Sequence, residues 1–599
     1  MKSRGIQIAL VVIVLSLLAF GVRTWRLEAK GVSQLEIRTL YRAQLSLPAL
    51  LLNRTVHPSR SVADPYPPLY FLLLAAFTRL VGQSDFALRF LSVVWTLPLV
   101  PLLYATGVRF WNRRAGVIVA VLGAFSPLYL AYAQQAHVHT MAATLGLLAV
   151  YSLDRALDEG HSGWLVAAIA GSIAAVCTHY LGLLFLGVLG VQALLSTRAR
   201  RAWRLPVALT WLGVATAGLL ALGLAGPRLG PSPEAGLAYP SLVARVGDAA
   251  QALVLGTIAN GPGLRPVGLV LLALFLLGVL WPAHPERQVW LGVCFLVALL
   301  AMYVAHPLWP QNGAGDSLML ISPVLYLGVA RGLERVTRRL WPVGLVVGIV
   351  GLGALGLAMH NYFRYPPSQP GLDYQAVAQS VQLCERPGDV IVINAPEEAT
   401  AFRHYYRGRL PAITLPPATL CGGEDQAAIE QVTASVASRF ARVWLVGDPA
   451  GACDPHGYVE GWLEREAFLI EATSDPGYGG DEPLRLYLTN SPILTQTPPR
   501  QHTQQVNFGS LRLEGYDLPL HPVSGGERAW ITFYWRPFYS RDVSISLRLL
   551  DKQGRQWARA DDVHYPAFPS PQWPFGSVVR QEACIRVPAA VPPGWYRLE

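Results

Sequence analysis

Phe86-Ala-Leu-Arg-Phe-Leu-Ser-Val-Val-Trp-Thr-Leu-Pro-Leu-Val-Pro-Leu-Leu-Tyr-Ala-Thr-Gly-Val108 runs straight into Arg109-Phe-Trp-Asn-Arg-Arg114. The first segment carries one charged residue, Arg89, and exceeds the ~20 apolar residues a helix needs to cross a hydrocarbon core. The second is a short basic loop of the kind that stays in the cytoplasm. Together they predict a membrane helix with a defined direction, and the rest of the chain is read outward from it.

Hydrophobic residues make up 52% of the 599-residue chain and charged residues 14%, against roughly 25% charged in soluble domains. Repeated apolar runs place most of residues 1–360 in a bilayer, whereas the chain reads as soluble protein from about 361 onward. Spans are expected at 6–23, 86–108, 115–133, 139–156, 162–178, 181–196, 205–225, 266–282, 288–305, 317–332 and 341–359, eleven in all. The first follows Lys2 and Arg4 and leads into Arg23, Trp25 and Arg26 without a small-residue cleavage site. It is therefore read as a retained anchor. Much of the net charge of +10 sits in short clusters between spans, which reports topology and argues against nucleic acid as a partner.

Eleven spans put the basic clusters 109–114, 198–204 and 331–339 on the N-terminal, cytoplasmic side, and the C-terminal part on the other. Counting the apolar run 67–82 as a twelfth span would turn 109–114 outward. It is therefore read as an interfacial or re-entrant helix of the outer loop 24–88. Glu36, Asp64, Asp85, Arg89, Gln134, Gln135, His137, His139, His179, Tyr180, His306 and Asp316 then all fall at outer ends or loops. Ionisable groups gathered at one face suit an enzyme at the membrane interface. A transporter would place paired, interrupted helices near mid-membrane in two matching halves, and no such repeat is visible.

Residues 361–495 alternate short apolar strands such as Asp389-Val-Ile-Val-Ile-Asn394 with helical stretches, predicting a small α/β domain with a mainly parallel sheet. No glycine-rich phosphate loop follows any strand. After Pro498 and Pro499, residues 506–599 alternate as a β-sandwich whose pattern stops mid-strand. Cys177 and Cys294 lie within spans and read as small core residues. Cys421 and Cys453 are candidates to pair in an oxidising compartment. No cysteine or histidine spacing predicts a zinc site.

The order of features from Leu27 to Tyr180 resembles the bacterial family 39 glycosyltransferases, relatives of the protein O-mannosyltransferases and of the aminoarabinose transferase acting on lipid A. The resemblance rests on Tyr66-Pro-Pro-Leu-Tyr70, Gly82-Gln-Ser-Asp-Phe-Ala-Leu-Arg-Phe-Leu-Ser92, Arg113-Arg-Ala-Gly116, Phe125-Ser-Pro127, Tyr132-Ala-Gln-Gln-Ala136 and Thr178-His-Tyr180, with Asp373-Tyr374 and Pro387-Gly-Asp-Val-Ile391 opening the outer domain. It implies a GT-C fold in the plasma membrane, with the N-terminus cytoplasmic and the C-terminal domains outside. It also implies a polyprenyl-phosphate-linked sugar as donor, an extracytoplasmic glycan, lipid or protein as acceptor, and membrane lipid as surroundings. It names no certain cofactor, and a divalent metal is an open alternative. Four departures stand out. The family's Asp-Glu pair reads Leu35-Glu36, its His before Pro-Pro is Tyr66, its Gln-Glu-Ala-Arg-x-Tyr reads Gln134-Gln-Ala-His-Val-His139, and its late Arg-Tyr reads Asp316-Ser317. They keep open a second reading, a catalytically silent relative that binds carrier lipid as a scaffold.

In such families an acid in the first outer loop serves as base for the acceptor hydroxyl, which is a poor nucleophile unless a carboxylate takes its proton. Glu36 is the candidate here, with a solvated interfacial acid as the alternative and Asp64 as its substitute. Arg89 is a candidate phosphate ligand, since guanidinium suits that geometry. An i,i+4 partnership with Asp85 is compatible with that role. Gln135, His137, His139, His179 and Tyr180 are candidate substrate contacts, set against interface packing and helix-end caps. On this reading Glu36→Gln and Arg89→Ala each abolish transfer and leave expression unchanged.

Overall fold

The computed structural model describes residues 2–51, 66–196, 206–216, 218, 265–281, 285–305, 314–364, 373–394, 396–417, 419–421, 423–447, 453–473, 484–496, 498–519, 522–526, 528–561, 565 and 568–599. Asp64 and His306 lie outside the described residues, as do the side chain of Asp316 and most of the expected span 205–225. The chain divides into two compact units, one of residues 1–56 and 60–369, the other of 57–59 and 370–599.

The first unit is helical. It opens with α1 (Lys2–Thr24), α2 (Gln34–Gln44), α3 (Leu47–Leu51), α4 (Leu69–Val81), α5 (Asp85–Thr96) and α6 (Leu99–Phe110). Next come α7 (Arg113–Ala124), α8 (Pro127–Ala133), α9 (His139–Glu159), α10 (Ser162–Thr178) and α11 (Gly182–Leu195), and later helices at Arg265–Leu280, Pro285–Ala305, Ala314–Arg339 and Trp341–Arg364. Among the described residues three helices are long and apolar enough to cross a membrane: Ile6–Thr24, Asp85–Phe110 and Trp341–Arg364. A fourth is added if α7 and α8, bent by 47° at their junction, count as one span. The bend has a local cause. Pro127 disfavours helix at the residue before it, so Ser126 turns extended and its hydroxyl caps α8 by accepting from Tyr129 N. α4, at 13 residues, is about 20 Å long, short of the roughly 30 Å hydrocarbon core.

Close helix contact in this unit is made by glycine. Arg265–Leu280 and Ala314–Arg339 cross where Gly278, Gly328 and Gly332 meet. A Cβ at Gly332 would fall on the Leu274 carbonyl oxygen, and one at Gly328 on the Phe275 ring. Small residues four apart let backbones approach in just this way. Gly332→Leu is expected to cost at least the ~1–3 kcal/mol of an overpacked site, read as a lower thermal unfolding midpoint in detergent. Gly163→Leu, where a Cβ meets nothing within 4 Å, should leave that midpoint in place. Cys294 is buried as expected, but Cys177 is exposed. α10 is apolar on nearly every side, so its sequence carries no periodicity by which to choose the inward face.

Among the described residues the second unit holds three sheets. Strands β1 (Asp389–Ile393), β2 (Ala412–Thr414), β3 (Arg442–Val446), β4 (Phe468–Thr473) and β5 (Leu484–Leu488) form a sheet ordered β2-β1-β3-β5-β4. β2, β1 and β3 run parallel, whereas β5 pairs antiparallel with both β3 and β4. The sheet is thus mixed, not mainly parallel. β3 reaches β5 past the helix Tyr458–Glu466 and β4, and the β4–β5 pair folds back along the edge as a hairpin does. All five residues of β1 and of β3 are buried, as strands covered on both faces must be.

The remaining strands are β6 (Ile493–Leu494), β7 (Val506–Asn507), β8 (Leu511–Asp517), β9 (Arg528–Pro537), β10 (Leu547–Leu550), β11 (Gln556–Ala560), β12 (Val578–Arg586) and β13 (Arg597–Leu598). They form an antiparallel sheet β6-β12-β9-β8-β7 and a smaller antiparallel one β11-β10-β13. Cys421 and Cys453 are joined in a disulfide across 32 residues, a loop whose closure restricts the unfolded chain by roughly 3–4 kcal/mol.

Candidate functional site

The site begins where α1 ends. After Thr24 the backbone makes a tight turn in which Arg26 takes a left-handed conformation, φ +54°, at a cost of order 1–3 kcal/mol for a residue with a Cβ. The turn aims its carbonyl oxygens at one side chain, Arg89 on α5. Arg89 Nη1 donates to the carbonyls of Leu27 and Lys30, both at 2.8 Å, and Nη2 donates to that of Gly31 at 2.8 Å. The remaining fork meets Glu36: Nε donates to Oε1 at 2.7 Å and Nη2 to Oε2 at 2.9 Å. A guanidinium has five N–H donors, and here each has a protein acceptor.

Glu36 is equally engaged. Ser33 begins α2, and its hydroxyl accepts from Glu36 N while Ser33 N donates back to Glu36 Oε2 at 2.9 Å. The Ser33 hydroxyl lies 3.1 Å from the same oxygen, and Ala136 N donates to Oε1 at 3.0 Å. Both charges are buried, Glu36 at 2% exposure and Arg89 at 3%. Burial pushes the carboxyl up, but the Arg89 charge, its hydrogen bonds and those from Ser33 and Ala136 outweigh it and hold Glu36 below the usual carboxylate value. Gln134 completes the assembly, Nε2 donating to the carbonyls of Arg23 at 3.1 Å and Trp25 at 2.8 Å. α1, α2, α5 and the 134–138 loop are thereby tied together by one ion pair and its hydrogen bonds.

One turn further along α5 lies a second cluster. Ser92 Oγ is 2.7 Å from Tyr70 OH and 3.3 Å from His137 N, whose own carbonyl it also reaches. The ring of Tyr66 stands edge-on to His137, His139 and His179, at centroid distances of 4.6, 6.0 and 5.3 Å. His137 and His139 stack, with their Nδ1 atoms 2.8 Å apart and hydrogen-bonded. His179 Nδ1 accepts from Leu181 N. Burial, then the neighbouring imidazoles and Arg42, push His137 well below the usual imidazole value, so it is neutral at pH 7. Among the described residues no group of three His, Cys, Asp or Glu side chains is placed to hold a metal ion.

The structure thus brings Glu36 and Arg89 into direct contact and gathers His137, His139 and His179 around Tyr66. Asp85 opens α5 one turn before Arg89, Gln135 lies half-buried in the 134–138 loop, and Tyr180 follows His179. The guanidinium's partners include a carboxylate 53 residues away, beyond any local spacing. Two participants were missed in the sequence. Ser33 is announced by Ser-x-x-Glu, the capping-box pattern. Lys30 is one of three lysines (Lys2, Lys30, Lys552) among 48 basic residues. It lies half-buried in the turn, its ammonium 3.7 Å above the ring of Tyr362.

Residues 65–223, which include α4, α5, the 134–138 loop and the histidine cluster, match the dolichyl-phosphate-mannose-protein mannosyltransferase family. The match covers about a quarter of the chain, and over that stretch the chain is similar to the family. No curated protein sequence matches it. Among solved structures it is similar to ArnT from Cupriavidus metallidurans bound to undecaprenyl phosphate, at 12% identity and TM-score 0.46 over 80% of this chain and 98% of that one. It is similar as well to the oligosaccharyltransferase AglB of Archaeoglobus fulgidus in complex with an inhibitory peptide and a dolichol-phosphate, at 13% identity and TM-score 0.45 over 81% and 74%. The mycobacterial arabinofuranosyltransferase AftD matches at 14% identity and TM-score 0.45 over 97% and 60%. Arg89 lies within the family-matching stretch, and Glu36, which grips it, lies before that stretch.

Proposed function

We propose that the helical unit takes a sugar from a polyprenyl-phosphate carrier and passes it to an acceptor outside the cytoplasm. The observation that carries this reading is the Glu36–Arg89 assembly. It joins α1 and α2 to a family-matching stretch, and it holds a strained turn and a loop rigidly at the ends of apolar helices. A donor with a lipid tail and an anionic head needs such a place, where hydrocarbon and polar groups meet. In the transfer, the acceptor oxygen forms a bond to the sugar's anomeric carbon. The bond from that carbon to the phosphate oxygen breaks, its electron pair leaves with the carrier phosphate, and the acceptor proton goes to a base.

Glu36 is poorly suited to that last duty. Five donors surround its two oxygens, and a carboxylate held below its ordinary value is a weaker base. Of the two acids singled out in the sequence, Asp64 is the one we assign as base. A second reading is supported by Leu35 and by the engagement of Glu36: a scaffold that binds the carrier and leaves it intact. Purified full-length protein with polyprenyl-phosphate sugar separates them. The leading reading expects the lipid to raise the unfolding midpoint, as any ligand of the folded state does, and to be consumed, with nucleotide sugars inert. Stabilisation without consumption would select the scaffold. No stabilisation at all would end both.

A further inference from the structure

Arg89 was the expected phosphate ligand, yet its donors all face protein acceptors. A different cation stands beside it. Lys30 sits on the same turn, and its backbone is fixed because Arg89 holds its carbonyl at 2.8 Å. Its ammonium has three donors, and among the described residues its one recorded partner is the face of Tyr362, 3.7 Å away. An aromatic face attracts a cation but accepts none of its hydrogen bonds in the way an oxyanion does. Burial, and then the Arg89 charge, pull the ammonium down to about 8, with Glu36 partly opposing. The surroundings therefore disfavour the lone cation, and an arriving anion would relieve them. Arg26 and Arg89 keep the local field positive, and Glu36 is already committed to Arg89.

We propose that Lys30 is the residue that takes a phosphoryl oxyanion at this site, with Tyr362 as its backstop and Arg89 as a positioning residue that holds the turn. This deepens the carrier reading above and rests on it for the source of the oxyanion, the head of a polyprenyl phosphate. The side chain differs from Arg89 in kind: a compact point charge on a flexible stem.

The scarcity of lysine makes a direct test clean. Amine-reactive labelling of the full-length protein at pH 8, read by peptide mass spectrometry, has three lysine targets, of which Lys2 and Lys552 serve as internal controls. Polyprenyl phosphate is expected to slow labelling of Lys30 at least tenfold and to leave the controls unchanged, while unphosphorylated polyprenol protects nothing. Equal protection by inorganic phosphate would uphold the oxyanion site and remove the lipid as its preferred source. No protection by either phosphate would overturn the proposal. Lys30→Met provides the second arm: an unfolding midpoint close to that of the unmodified protein, with affinity for polyprenyl phosphate at least tenfold weaker, and Lys30→Arg between the two. Undiminished affinity in Lys30→Met would likewise overturn it.

Discussion

Arg89→Ala is expected to lower the stability of the helical unit by ~3–5 kcal/mol, the usual consequence of leaving a buried charge without its partner. The loss should appear as a lower unfolding midpoint and a reduced yield, before any question of turnover. Glu36 would be stranded at 2% exposure, and the carbonyls of Leu27, Lys30 and Gly31 would lose their donors together. Arg89→Lys should fail nearly as badly, because an ammonium cannot span a carboxylate and three carbonyls at fixed angles. This differs from what the sequence alone suggests. A phosphate ligand facing an open pocket could be removed with the fold intact, so unchanged unfolding of Arg89→Ala would restore that simpler role.

Asp64→Asn is expected to behave in the opposite way. If Asp64 is the base, the amide keeps the shape but cannot take the acceptor proton, and turnover of the polyprenyl-phosphate sugar should fall by about 10²–10⁴-fold. Affinity for the carrier and the unfolding midpoint should hold, because neither depends on that proton transfer. The pair of variants divides the two acids cleanly, one acting through the fold and the other through the rate. Full turnover in Asp64→Asn would take the base role from it, and equal losses of midpoint and turnover would make it structural instead.

Much of the fold could be read from the chain because its strongest signals are collective. The long runs at 6–23, 86–108 and 341–359 coincide with helices long and apolar enough to cross a membrane, and the stretch of period-two alternation after 506 holds strands of two antiparallel sheets. Where a single element had to be resolved, the signal thinned. α10 gave no face, so Cys177 was misplaced. The late β4–β5 hairpin made the α/β sheet mixed because pairing direction is set by connections the strand residues do not encode.

The site shows the same division. Arg89 stands out as the one charge in an apolar run, which is a local property, and Glu36 as the first-loop acid to which the family resemblance points. That they grip each other depends on the turn at Arg26 and on Ala136, 100 residues from Glu36, and nothing local announces it. His137 and His139, two apart, would diverge on a helix, but His137 precedes α9 and His139 opens it. The two rings therefore stack.

The central claim is that Glu36 and Arg89 act as one lock that shapes the turn carrying Lys30. A double-mutant cycle of Glu36→Ala, Arg89→Ala and the two combined, followed by unfolding in detergent, tests it most directly. The account predicts that the double variant loses clearly less stability than the two single losses added together, because removing both charges strands neither. Losses that simply add would mean that the two side chains do separate work, and would contradict it.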